Sequence, residues 1–196
     1  MYSKHGLTLL IILAYLLISC SYVHANNISR VEDVKLAAVR IGDVKTGKWG
    51  FIDKTGKIVI NPQFDYVGFF QAGYVGFFQG FSEGLAAVRI GDNETGKWGF
   101  IDKTGKIVIN PQFDKVRDFS KGLARVRIGD SETGKWGFID KTGKFVINPQ
   151  FHDVRDFNEG LAAVRIGDDK TGKWGFIDKT GKIVINPQFD DAGDFN

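Results

Sequence analysis

Hydrophobic and polar residues alternate along most of the chain, and the alternation recurs at a fixed interval. In LARVRI, Leu123 to Ile128, one face carries Ala124, Val126 and Ile128 and the other Leu123, Arg125 and Arg127. That is the two-residue period of a half-buried strand. A Gly- and Asp-bounded turn, GDSETGK, follows, and Trp136 to Asp140 then sets Trp136 and Phe138 on one face. The turn KTGK leads to a third strand, Phe145 to Asn148. Pro149 is expected to end it, because proline cannot donate to a ladder. Outside the N-terminal apolar run no stretch has a capped helical period, so the pattern predicts an all-β chain.

The same pattern is laid down four times. KWGFIDKTGK starts at Lys48, Lys97, Lys135 and Lys173, and its tryptophans are Trp49, Trp98, Trp136 and Trp174. Their spacings are 49, 38 and 38, so the unit is 38 residues with 11 extra in the first interval. From Leu85 and from Leu161, 30 of 36 positions are identical. Four units therefore fill residues 36–196, starting near Leu36, Leu85, Leu123 and Leu161. Thr-Gly-Lys closes both turns of each unit, at Gly47, Gly56, Gly96, Gly105, Gly134, Gly143, Gly172 and Gly181. Glycine is expected to supply positive φ at these turns, and aspartate to cap them. Tight turns join antiparallel neighbours. Each unit reads as a three-stranded antiparallel meander, and the four as an open repeat array, with a β-propeller as the alternative. A parallel β-helix would stack Arg40, Arg89, Arg127 and Arg165 directly on one another, which like charges oppose. The extra residues are a duplicated linker within 66–84, rich in Tyr66, Phe69, Phe70, Tyr74, Phe77 and Phe78. The chain ends DAGDFN, partway through the next linker, and the expectation is a piece of a longer array with a truncated last unit.

KWGFIDKTGKIVINPQFD, followed by F-x-x-G-L-A-x-V, resembles the WG repeat family, also called KWG repeats, over Leu36 to Asn196. The resemblance implies a β-repeat scaffold, mainly bacterial and often behind an export signal, with no established common activity.

Composition adds an address and removes a partner class. Formal net charge is +3; without Lys4 it is 25 basic against 23 acidic residues, with the signs interleaved. That is no footprint for nucleic acid. Leu7 to Ile18 is an apolar run of signal-peptide length, so residues 1–19 read as a signal peptide. LISC, Leu17 to Cys20, resembles the lipobox of bacterial lipoproteins, which implies cleavage before Cys20, lipidation of its thiol, and a tether over residues 20–35. Val23-His24-Ala25 offers the other exit, cleavage after Ala25 to a periplasmic or secreted protein. Either way the mature chain has no free thiol.

Candidate chemistry resolves mostly into turns. GDVKTGKW, Gly42 to Trp49, has the glycine and lysine spacing of a phosphate loop but lacks the Ser or Thr and the helix that must follow. Asp43, Asp92, Asp130 and Asp168, and Asp53, Asp102, Asp140 and Asp178, flank turns and read as caps. His5, His24 and His152 form no metal or catalytic set, and the sequons at Asn27 and Asn93 matter only in a eukaryotic secretory route. The four Trp read as core between units. No catalytic, cofactor or metal residue emerges. The reading is an exported, lipid-anchored, non-enzymatic scaffold at the bacterial cell envelope. It touches membrane through its lipid alone and offers Arg40, Arg89, Arg127 and Arg165 as a repeated surface for protein or cell-envelope polymer. The alternative is a secreted carbohydrate-binding or enzymatic protein using the aromatic loop 66–84.

Overall fold

The computed structural model describes residues 35–68 and 80–195. The signal peptide, Cys20, His5, His24, Asn27, and Phe69, Phe70, Tyr74, Phe77 and Phe78 of the duplicated linker lie outside the described residues. The rest is strands and turns. The first sheet holds β1 Ala37–Ile41, β2 Lys48–Ile52 and β3 Ile58–Phe64. The second holds β4 Tyr66–Val67, β5 Leu85–Ile90, β6 Lys97–Asp102 and β7 Ile107–Phe113. The third holds β8 Lys115–Val116, β9 Leu123–Ile128, β10 Lys135–Asp140 and β11 Phe145–Phe151. The fourth holds β12 Asp153–Val154, β13 Leu161–Ile166, β14 Lys173–Asp178 and β15 Ile183–Phe189. Every pairing is between antiparallel neighbours, and no sheet closes into a barrel, so the units form an open repeat array of antiparallel sheets.

The meander is longer than the alternation predicts. In the last three sheets a two-residue strand from the preceding linker pairs with the first long strand, as in Tyr66↔Arg89 and Lys115↔Arg127. Two residues are too few to show a period. Nor does proline end the third strand. β11 runs through Pro149 to Phe151, pairing Trp136↔Phe151 and Phe138↔Ile147 with a register shift between. The proline sits in this bulge, where no ladder hydrogen bond is required of it. The bulge explains the glycine that follows each tryptophan. A Cβ built on Gly137 would lie 2.4 Å from the Ile147 carbonyl oxygen and 2.7 Å from the Pro149 nitrogen. The Trp-Gly pair and the Asn-Pro-Gln stretch are two halves of one fit.

The turns also divide their labour differently from expectation. In the second turn Gly143 does take positive φ, 85°. In the first, positive φ belongs to the leading Gly129, at 97°, and not to Gly134. Gly134 is small for another reason: a Cβ there would lie 2.3 Å from the Asp130 carbonyl oxygen. The aspartates cap as their positions suggest. Asp130 Oδ1 accepts from the Thr133 amide at 2.7 Å, and Asp140 Oδ1 from the Thr142 amide at 2.9 Å. A third hairpin, not read from the sequence, precedes each of the last three units. Ser120 and Leu123 exchange backbone hydrogen bonds of 2.8 and 3.1 Å around Lys121 and Gly122, both at positive φ.

The long middle strand of each of the last three sheets is buried on both sides: Phe138 is 1 % exposed and its neighbour Ile139 is 0 %. The reason is stacking. One face of a sheet carries Trp, Phe, Ile and Phe, as in Trp49, Phe51, Ile60 and Phe64. The next sheet meets it with Ala86, Val88 and Ile101, in one cluster. The same mating recurs between the second and third sheets and between the third and fourth, ending on Ile139 and Ile177. Linker phenylalanines seal each joint; Phe119 lies edge-on to Phe100 at 4.9 Å. Ile128, which alternates with the buried Ala124 and Val126, is instead exposed, at the turn end of its hairpin.

Replacing Gly137 with Ala should destabilise the fold by about 2–4 kcal/mol, because backbone and not a yielding side chain blocks the new methyl. Gly193→Ala, which meets nothing within 4 Å, should stay within about 0.5 kcal/mol. Urea unfolding of the two variants compares them directly.

Candidate binding surfaces

The four arginines of the row lie at one register position. Arg40 pairs with Trp49, Arg89 with Trp98, Arg127 with Trp136 and Arg165 with Trp174, across the first hairpin of each unit. Cross-strand partners share a face, so each guanidinium lies over its tryptophan ring, 5.6 to 5.9 Å from the centroid. Arg40 is exposed, whereas Arg89, Arg127 and Arg165 are half-buried. The short linker strands add a third, variable member beside the arginine: Tyr66, Lys115 and Asp153. Tyr66 stands between Trp49 and Trp98, at 6.3 and 6.2 Å, with Arg89 5.1 Å from its ring. Lys115 sits beside Arg127, and burial followed by the repulsion of Arg127 and Arg117 pushes its pKa down. The row is thus one repeated Arg–Trp pair, with a different cross-strand neighbour in each of the last three sheets.

Beside the row, an aspartate ties each linker to the next hairpin. Asp65 Oδ2 accepts from the Gly91 amide at 2.9 Å and its other oxygen pairs with Lys48; Asp114 does the same with Gly129, at 2.8 Å, and Lys97. Burial works to raise these pKa values, yet the lysine and amide hydrogen bonds hold them below the usual carboxylate range. His152 occupies this aspartate's position, a role its lone, variable setting in the sequence does not reveal. Its Nδ1 accepts from the Gly167 amide at 3.0 Å. An accepting Nδ1 requires neutral imidazole. Burial, then Lys135, which has lost its carboxylate partner at this position, lower the His152 pKa. The turns with phosphate-loop spacing run from strand to strand, as from β9 to β10, so no helix N-terminus meets them.

One polar cluster is unrepeated. Ser82, Arg117, Asp118, Ser120, Arg125 and Asp156 line a cleft of about 240 Å³. Arg125 Nε lies 2.8 Å from Asp156 Oδ1 and its NH2 group donates to Oδ2 at 3.1 Å, while NH1 donates to the Val154 carbonyl at 2.9 Å. Ser82 donates to the Phe119 carbonyl at 2.7 Å. Both Asp118 oxygens are buried without a hydrogen-bond partner. Burial raises its pKa to about 6, against the opposing pull of Arg117. The cleft can therefore hold a proton near pH 6. The sequence carries a signal for it: Arg125 stands where the neighbouring units have Ala87 and Ala163.

The family model described as WG containing repeat matches residues 49–80, 98–131, 136–170 and 174–196, together more than half of the chain. No curated protein and no solved structure matches it.

Asp118 makes stability depend on pH. Its folded pKa, about 6, lies above its ordinary 3.8. Its stabilising contribution is therefore fully present below the ordinary value and lost as pH rises through about 6. Asp118→Asn should be more stable than the parent at pH 7.5 by about 1–3 kcal/mol, with the difference gone near pH 4. Urea unfolding across that range checks it; a difference independent of pH would contradict it.

Proposed function

The chain belongs to the WG containing repeat family, and on that premise we propose that it is an exported, lipid-anchored, non-enzymatic scaffold that binds protein or cell-envelope polymer through repeated equivalent contacts. The observation that carries this reading is the Arg–Trp pair, present once per sheet at one register position. A guanidinium held over an indole is oriented before binding, so little rotamer freedom is lost when it meets an anionic or carbonyl partner. Weak equivalent contacts on one body add through effective concentration. The Leu7–Ile18 run and Cys20 support export and anchoring.

Arg89→Ala, Arg127→Ala and Arg165→Ala should each weaken retention on isolated cell-envelope polymer by a similar factor of about 3 to 10, compounding in double and triple variants. Complete loss from any single substitution, with the others silent, would point to one discrete site and overturn the proposal.

A further inference from the structure

The joint after the second sheet and the joint after the third are built alike, so a contact made at one has a counterpart at the other. Arg125 lies opposite Phe138 in the third sheet, where the second has Ala87 opposite Phe100. Arg155-Asp156-Phe157 follows the third sheet as Arg117-Asp118-Phe119 follows the second. The two linkers dock in the same way. Phe157 packs on Phe138 and Phe119 on Phe100, each at 4.9 Å. The Arg155 and Arg117 amides donate onward to the Ala163 and Arg125 carbonyls, each at 2.9 Å. Asp156 therefore stands to Arg125 as Asp118 stands to Ala87. At the later joint the Arg125 guanidinium meets both Asp156 oxygens, at 2.8 and 3.1 Å. At the earlier joint Ala87 has no guanidinium to give. Both Asp118 oxygens are buried there with no hydrogen-bond partner, beside the cleft of about 240 Å³. Arg117 and Arg125 line the same cleft, but neither hydrogen-bonds Asp118. The adjoining linker stretch 69–79 contains no lysine or arginine.

We propose that the cleft at Asp118 binds a guanidinium group from outside the chain, taking the place that Arg125 takes on Asp156. The internal pair is the template. Asp156 holds Arg125 although Arg155 precedes it in the chain, just as Arg117 precedes Asp118. The surrounding charges balance, Arg117 and Arg125 against Asp118 and Asp156. Burying an ionised carboxylate without a partner is costly. Burial accordingly holds the Asp118 pKa up, and two charge-assisted hydrogen bonds from a ligand offset that cost. A planar guanidinium fork matches two carboxylate oxygens at once, whereas an ammonium is a point charge. The site lies apart from the Arg–Trp row, so its failure would leave the envelope-binding reading standing.

Isothermal titration calorimetry of the full chain tests it at neutral pH, with the tripeptide Gly-Arg-Gly, free L-arginine, and Gly-Lys-Gly as the control of equal charge. An arginine ligand should bind one to one, and Gly-Lys-Gly about 10-fold more weakly. Tighter binding of the tripeptide assigns a polypeptide partner, and tighter binding of the free amino acid a small molecule; both uphold the site. Asp118→Asn should weaken arginine binding by about 10-fold or more. Ala87→Arg supplies the guanidinium from within and should have the same effect; the third sheet already carries arginine at that position. Circular dichroism confirms that both variants fold. Three results would each overturn the proposal. One is no binding of either arginine ligand at about 10 mM. The second is equal binding of Gly-Lys-Gly. The third is arginine binding that survives either substitution.

Discussion

The structure depends on one fit, repeated in each sheet. The glycine after each tryptophan leaves room for the third strand to bulge at its proline, with Ile147 carbonyl and Pro149 nitrogen filling the place a side chain would take beside Gly137. The bulge carries Phe151 back into register with Trp136. Trp, Phe, Ile and Phe then form one continuous apolar face. Only such a face can accept the Ala-Val-Ile side of the next sheet, and only that contact buries Ile139 and Ile177 completely. A sheet of three short strands has too little of its own to bury. The unit is thus built to be covered, and its stability belongs to the joints more than to the sheets.

Individuality is confined to the rim. The residues that mate are nearly invariant between units, while those beside them drift. Tyr66, Lys115 and Asp153 share one position flanking the arginine row, and His152 replaces the aspartate that pins the other linkers. Arg125 replaces an alanine and takes hold of Asp156. The rim can vary because most of its groups keep water contact, where a lost ion pair costs little. Asp118 is the exception. Its two carboxylate oxygens are buried without a hydrogen-bond partner, and burial raises its pKa to about 6.

Much of this was legible in the sequence, for local reasons. Strand alternation, the 38-residue period, the capping aspartates and the buried tryptophans follow from patterns within a unit. What escaped depends on partners distant along the chain. The strands Tyr66–Val67 and Lys115–Val116 exist only because the next hairpin offers an edge. Pro149 reads as a terminator until Gly137 is seen opposite it. Gly134 looks like a source of positive φ, yet that task falls to Gly129. Arg125 looks like one more polar position on an alternating strand, and its departure from Ala87 and Ala163 gains meaning only with Asp156 in reach.

If stability belongs to the joints, a single unit has none of its own. Residues 123–160, prepared alone, should show no strand signal by circular dichroism and no cooperative urea transition, whereas the stretch 85–196, with its two joints, should show both. An isolated unit that unfolds cooperatively would place the stability within the sheet and contradict the account.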